Sequence, residues 1–180
     1  MDGFESALVV EVPAAEPIIG RWRIGHDPVA RRGVPAHVTV LYPFVPPDEL
    51  SDAVFGDVAA AIAPVSRFGF ELTTVDEFPG VVVWLRPDPE APFRDLTERL
   101  HRAFPDHPPY GGRHLDAQPH LTVAMTDVGH HDAQRDVIKA SIAGQLPVQC
   151  VADSVSLFVS DNSHTWIRKR EFPLGDSTLD

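Results

Sequence analysis

Two short strings, HVTV at residues 37–40 and HLTV at residues 120–123, constrain this chain more than anything else in it. Each lies in a stretch of alternating apolar residues, PAHVTVLYPF (35–44) and QPHLTVAM (118–125). That is the pattern of a half-buried strand, in which successive side chains point to opposite faces. In the first stretch Ala36, Val38, Val40 and Tyr42 fall on one face and His37, Thr39 and Leu41 on the other. In the second, Leu121, Val123 and Met125 share a face and His120 and Thr122 share its opposite. A lone histidine beside an apolar strand is ordinarily a hydrogen-bonded structural residue. Two copies change the odds, because the composition gives about 0.05 such strings by chance. The pairs point to one site built from both.

The surroundings repeat as well. SALVVEV (6–12) reads as a strand and residues 16–24 as a short helix leading to the first motif strand, which Pro46 and Pro47 stop. Asp48 then caps a helix through about Ala63, with Leu50, Val54, Val58 and Ile62 as its apolar stripe, and FGFELTTV and VVVWLRP follow as strands around the turn-prone DEFPG. The second half has a helix from about Pro92 to Phe104 with Phe93, Leu96 and Leu100 on one face, an irregular loop PDHPPYGGRHLD, and the second motif strand. A helix over residues 132–143 and strands within CVADSVSLFVS and HTWIRKREF complete it. The histidines are 83 residues apart and Trp84 and Trp166 are 82 apart, as a duplication would leave them. The expectation is one α+β domain over residues 1–180, made of two pseudo-symmetric lobes that bring the His-Thr faces together.

Composition narrows the function. The chain has 43% hydrophobic residues, an acidic start (MDGFESALVV) and no apolar run near the roughly 18 residues of a membrane span, so a cytoplasmic protein with no membrane partner is expected. Cys150 is the single cysteine and reads as a buried, inert thiol. A formal charge of −11 argues against binding long DNA or a large RNA surface, but leaves room for a small anionic ligand in a local pocket. The basic clusters RWRIGHDPVARR (21–32) and WIRKREF (166–172) read as solvated faces. His130 and His131 are adjacent and point apart, a poor metal pair, and no carboxylate, thiolate or third histidine accompanies the motifs. Neither a metal nor a cofactor is expected. Phe78, Trp84 and Tyr110 read as packing or loop anchors, and Tyr42 and Phe44 fall on the core-facing parity.

Two imidazoles facing one cleft can divide acid and base work near neutral pH, and a threonine two residues along each strand can donate to a phosphoryl oxygen. HVTV at His37 and HLTV at His120, with HVTVLYPFVPPDEL, FPGVVVWL and PYGG before PHLTVA, resemble the 2H phosphoesterases, the 2′-5′ RNA ligase-like proteins. The resemblance implies a bilobal fold of two antiparallel β-sheets flanked by helices around a central cleft. It also implies metal-independent action on 2′,3′-cyclic or 2′-5′ linked phosphodiesters; the negative net charge favours a small nucleotide or an RNA end as the substrate, and a monomer is expected. Carried over, His37 and His120 are the catalytic base and acid in unassigned order, and Thr39 and Thr122 bind the phosphate. The alternatives are a non-catalytic nucleotide- or RNA-end-binding module of the same fold, and a structural protein in which the motifs are packing details.

Overall fold

The structure, a computed structural model, describes residues 5–79, 81–113, 117–125, 132–161 and 163–176. Among the described residues there are eight strands: β1 Ser6–Glu11, β2 His37–Leu41, β3 Phe68–Phe78, β4 Val82–Asp88, β5 Leu121–Met125, β6 Val148–Ala152, β7 Ser154–Ser160 and β8 Trp166–Pro173. They form a single antiparallel sheet in the order β6-β3-β4-β5-β2-β1-β7-β8. The expected pair of sheets is thereby corrected to one. Two separate sheets would leave β2 and β5 as unpaired edges in the middle of the molecule. Instead they join through one registered pair, Val38 with Leu121, the same position of the two motifs. CVADSVSLFVS holds the end of β6 and all of β7, separated at Asp153. Trp84 and Trp166 occupy unrelated places, β4 beside a motif strand and β8 at the sheet edge, so their spacing is no mark of duplication.

The seam between β2 and β5 is short, and the helices bridge it. Helix α1 (Glu16–His26), though it follows β1, packs on β5, whereas α4 (Ala91–Ala103), which follows β4, packs on β2. Beyond Val38 the two strands part, and α4 supplies the missing partner: Thr97 Oγ1 donates to the Val40 carbonyl at 2.9 Å. The short α2 (Pro28–Arg31) follows α1, α3 (Asp52–Ile62) packs on α4 and β8, and α5 (Asp132–Ala143) packs on β3. Ser51, rather than Asp48, caps α3. Phe93, Leu96 and Leu100 of α4 are buried against Val38, Val40 and the other apolar residues on one face of the sheet, as the helical spacing predicts. The other face carries both His-Thr pairs.

Candidate active site

His37 opens β2 and His120 immediately precedes β5. The Val38–Leu121 pair is antiparallel, so its extension by one residue either way sets His37 across from Thr122 and Thr39 across from His120. Residues directly opposite share a face, and diagonal partners such as the two histidines lie roughly 7–8 Å apart at Cα. The sheet thus brings all four predicted residues together.

Both imidazoles are held the same way. His37 Nδ1 donates to the carbonyl of Pro35 and His120 Nδ1 to that of Gln118, each at 2.7 Å and two residues upstream. A carbonyl only accepts, so Nδ1 carries the hydrogen in both rings and Nε2 is left with the lone pair. Burial lowers the His37 pKa to about 4; Arg23 and His120 push it the same way, while the Pro35 carbonyl and Asp27 oppose. Burial also lowers His120, against the Gln118 carbonyl. The unfolded His37 binds a proton near 6.5 and the folded one near 4. The native state should therefore lose stability as pH falls from about 6.5 toward 4, visible as a falling urea midpoint whose fall is smaller in His37→Ala, where only His120 is left to contribute it.

The walls are aromatic on both sides. Next to His120, Phe78 meets the ring edge-on (5.1 Å, 88°) and stacks on Trp84 (5.0 Å, 26°), which Arg86 covers at 5.0 Å. Arg86 is itself held by Asp76 at 2.6 Å and Glu90 at 2.9 Å. Next to His37 and Thr39, a cavity of about 220 Å³ is lined by Val9, Tyr42, Phe158 and Trp166, with Arg32 and Glu5 also on its wall. A second cavity, of about 330 Å³, runs from Thr39 to Thr97 and Arg94 of α4 and to Tyr110, whose side chain hydrogen-bonds Thr39. Thr39 borders both.

Phe78, Trp84, Tyr110 and Tyr42 read from sequence as packing residues or anchors, yet the structure places all four at the site. Trp84 could have been found by parity, because it pairs with Thr122 across β4 and β5. Tyr42 could not. The register of β1 slips between Val9, opposite Thr39, and Leu8, opposite Leu41, so a bulge turns Leu41 into the core and Tyr42 onto the site face. Tyr110 sits in a loop with left-handed backbone (φ 52°), anchored by its N–H to the Tyr42 carbonyl at 2.6 Å. His130 and His131 lie outside the described residues. Among the described residues, no three His, Cys, Asp or Glu side chains converge as a metal would need. Cys150 is buried within β6 and burial pushes its thiol up to about 11, as an inert residue requires. Among the described residues, no helix is long and apolar enough to cross a membrane.

The fold resembles that of E. coli LigT complexed with 3′-AMP, at TM-score 0.63 and 16% identity over 96% of this chain and 99% of that one. It also resembles a phosphoesterase (0.58, 17%, 97% and 100%) and a protein from Thermus thermophilus (0.58, 17%, 96% and 99%). None of the curated proteins matches the sequence. At these identities the structural likeness speaks for the fold. A family model described as the 2′-5′ RNA ligase superfamily matches residues 10–164, a span that contains both motifs. The chain belongs to that superfamily, the 2H phosphoesterases.

Proposed function

We propose that the protein is a metal-independent phosphodiesterase acting on the 2′,3′-cyclic phosphate or 2′-5′ phosphodiester of a nucleotide or RNA end. The observation that carries this is the mirrored pair of Nδ1-to-carbonyl hydrogen bonds, which leaves two proton-transfer nitrogens on one face beside two threonine hydroxyls. His37, the imidazole held at about 4, stays neutral over the working range and is the base; His120 is the acid. For a cyclic phosphate, His37 takes a proton from water as its oxygen attacks phosphorus, and His120 gives one to the departing ribose oxygen. Thr39 and Thr122 donate to the non-bridging oxygens, whose charge grows in the transition state. The same reading takes residues 1–180 as one domain of two pseudo-symmetric lobes. Its support is the four strands on each side of the Val38–Leu121 pair. The superfamily supports a small nucleotide or RNA-end substrate, and the same reading takes the protein as a cytoplasmic monomer.

The test is a panel of 2′,3′-cyclic nucleotides and 2′-5′ dinucleotides assayed in excess chelator. Turnover should persist; loss in chelator with recovery on adding a divalent ion would overturn the mechanism. The profile of kcat/KM should be a bell centred below pH 6.5, since both free-enzyme pKa values are depressed, with its acid limb from His37 and its alkaline limb from His120. That both histidines are neutral at pH 7 favours one other reading, a phosphate-binding module without turnover. Binding without hydrolysis of any panel member at about pH 5–6 would select it.

A further inference from the structure

His37 and His120 make the same hydrogen bond, yet the peptides that receive it differ. The carbonyl bonded to His37 belongs to the peptide unit joining Pro35 to Ala36, and the N–H of that same unit donates to Glu16 Oε1 at 2.5 Å. The carbonyl bonded to His120 belongs to the unit joining Gln118 to Pro119, and a proline has no N–H to donate. One imidazole therefore ends a carboxylate–peptide–imidazole chain and the other does not. Hydrogen bonds in series polarise one another, by roughly 10–30% per bond, so the Glu16 charge makes the Pro35 oxygen a stronger acceptor.

The surroundings hold this chain in place. The Val12 N–H donates to the Ala36 carbonyl at 2.7 Å, so both polar groups of Ala36 are fixed. Arg23 Nη1 stands 3.7 Å from the same Glu16 oxygen, and Arg23 is locked by Asp27 at 2.8 Å. Glu16 opens α1, where the helix N-terminus favours a carboxylate. One turn later comes Gly20, where a Cβ would lie 3.0 Å from Glu16 Oε2. A glycine inside a helix costs about 1 kcal/mol relative to alanine, and here it leaves the carboxylate its room. The other charged or titratable groups around His37 are Arg23 and Asp27 from the α1 side, His120 beside β5, Glu5, Arg32 and Tyr42 on the wall of the 220 Å³ cavity, and Glu11 opposite it on β1, which accepts from Ser156 and Arg168.

We propose that Glu16 is a positioning residue for His37, acting through the Pro35–Ala36 peptide to hold the imidazole in its Nδ1–H form and to strengthen Nε2 as a base. Its consequence for turnover rests on the reading of His37 as a catalytic group. The experiment compares imidazole ¹⁵N spectra and kinetics of wild type, Glu16→Ala and Glu16→Gln, with His120 as the internal control. In Glu16→Ala the His37 shifts should move toward a mixture of tautomers while those of His120 stay. kcat should fall about tenfold with KM unchanged, the lower end of the range seen when a group that orients a metal-bound imidazole is removed. Glu16→Gln keeps an oxygen acceptor and loses the charge, so the tautomer should hold, the His37 titration should move to lower pH, and kcat should fall less. If Glu16→Ala does not fold, Glu16→Gln decides. A His37 spectrum, titration and kcat indistinguishable from wild type in a folded variant would overturn the proposal. Altered His37 spectra in a protein that hydrolyses no phosphodiester would uphold the positioning role and reject the catalytic reading.

Discussion

Replacing either His37 or His120 by alanine should remove all but about 10⁻² to 10⁻⁴ of kcat on the best phosphodiester, because each ring supplies one proton transfer. The geometry allows no substitute. Each Nδ1 is committed to a backbone carbonyl, so the one nitrogen per ring that is free for chemistry disappears with the ring. The fold should survive, since the Val38–Leu121 pair and the helices beneath it are untouched. Each single variant should also lose one limb of the pH profile, His37→Ala the acid limb and His120→Ala the alkaline one. Thr39→Ala and Thr122→Ala should cost less, about ten- to a hundredfold, as the loss of one hydrogen bond to a charged oxygen. Steady-state kinetics with folding checked by circular dichroism measures all four, and a threonine variant more damaged than either histidine variant would reverse the assignment.

Asp27→Ala should lower the unfolding free energy by about 3–5 kcal/mol, the usual cost of removing one member of a buried ion pair. Arg23 and Asp27 side chains are 2% and 3% exposed. Asp27 Oδ2 accepts from Arg23 Nε at 3.1 Å and Nη2 at 2.8 Å, and Oδ1 accepts from the Val29 N–H at 3.0 Å, capping α2. Without it, the guanidinium keeps only Glu16 at 3.7 Å while remaining out of water. For a domain whose total stability is about 5–15 kcal/mol this is a large fraction. Urea denaturation gives the number. The double variant Arg23→Met with Asp27→Ala should recover part of the loss, since no unpaired charge is then buried; a double-variant loss equal to the sum of the Arg23→Met and Asp27→Ala losses would mean that the pair is not coupled.

The residues that alternate or repeat were legible from sequence, and those placed by irregular backbone were not. His37, Thr39, His120 and Thr122 follow from strand parity, which the structure keeps at both motifs. The apolar stripe of α4 follows equally from helical spacing. The single sheet was hidden, because it depends on one pairing between residues 83 apart, which no local pattern encodes. Strand parity sends Leu41 and Tyr42 to the wrong faces because a one-residue bulge inverts it without changing composition. Arg23 looks like one charge in a solvated basic run, yet its spacing of four to Asp27 lets the two neutralise each other in the interior. Glu16 gives no signal, since the group that accounts for its role is a backbone N–H 20 residues away.

The central claim is that one phosphoryl group engages both motifs at once. A crystal structure with the bound nucleoside monophosphate product tests it most directly. The phosphate should have its oxygens about 2.6–3.2 Å from Nε2 of His37, Nε2 of His120 and the hydroxyls of Thr39 and Thr122. A phosphate that touches only one motif, or one seated away from the Val38–Leu121 seam, would contradict it.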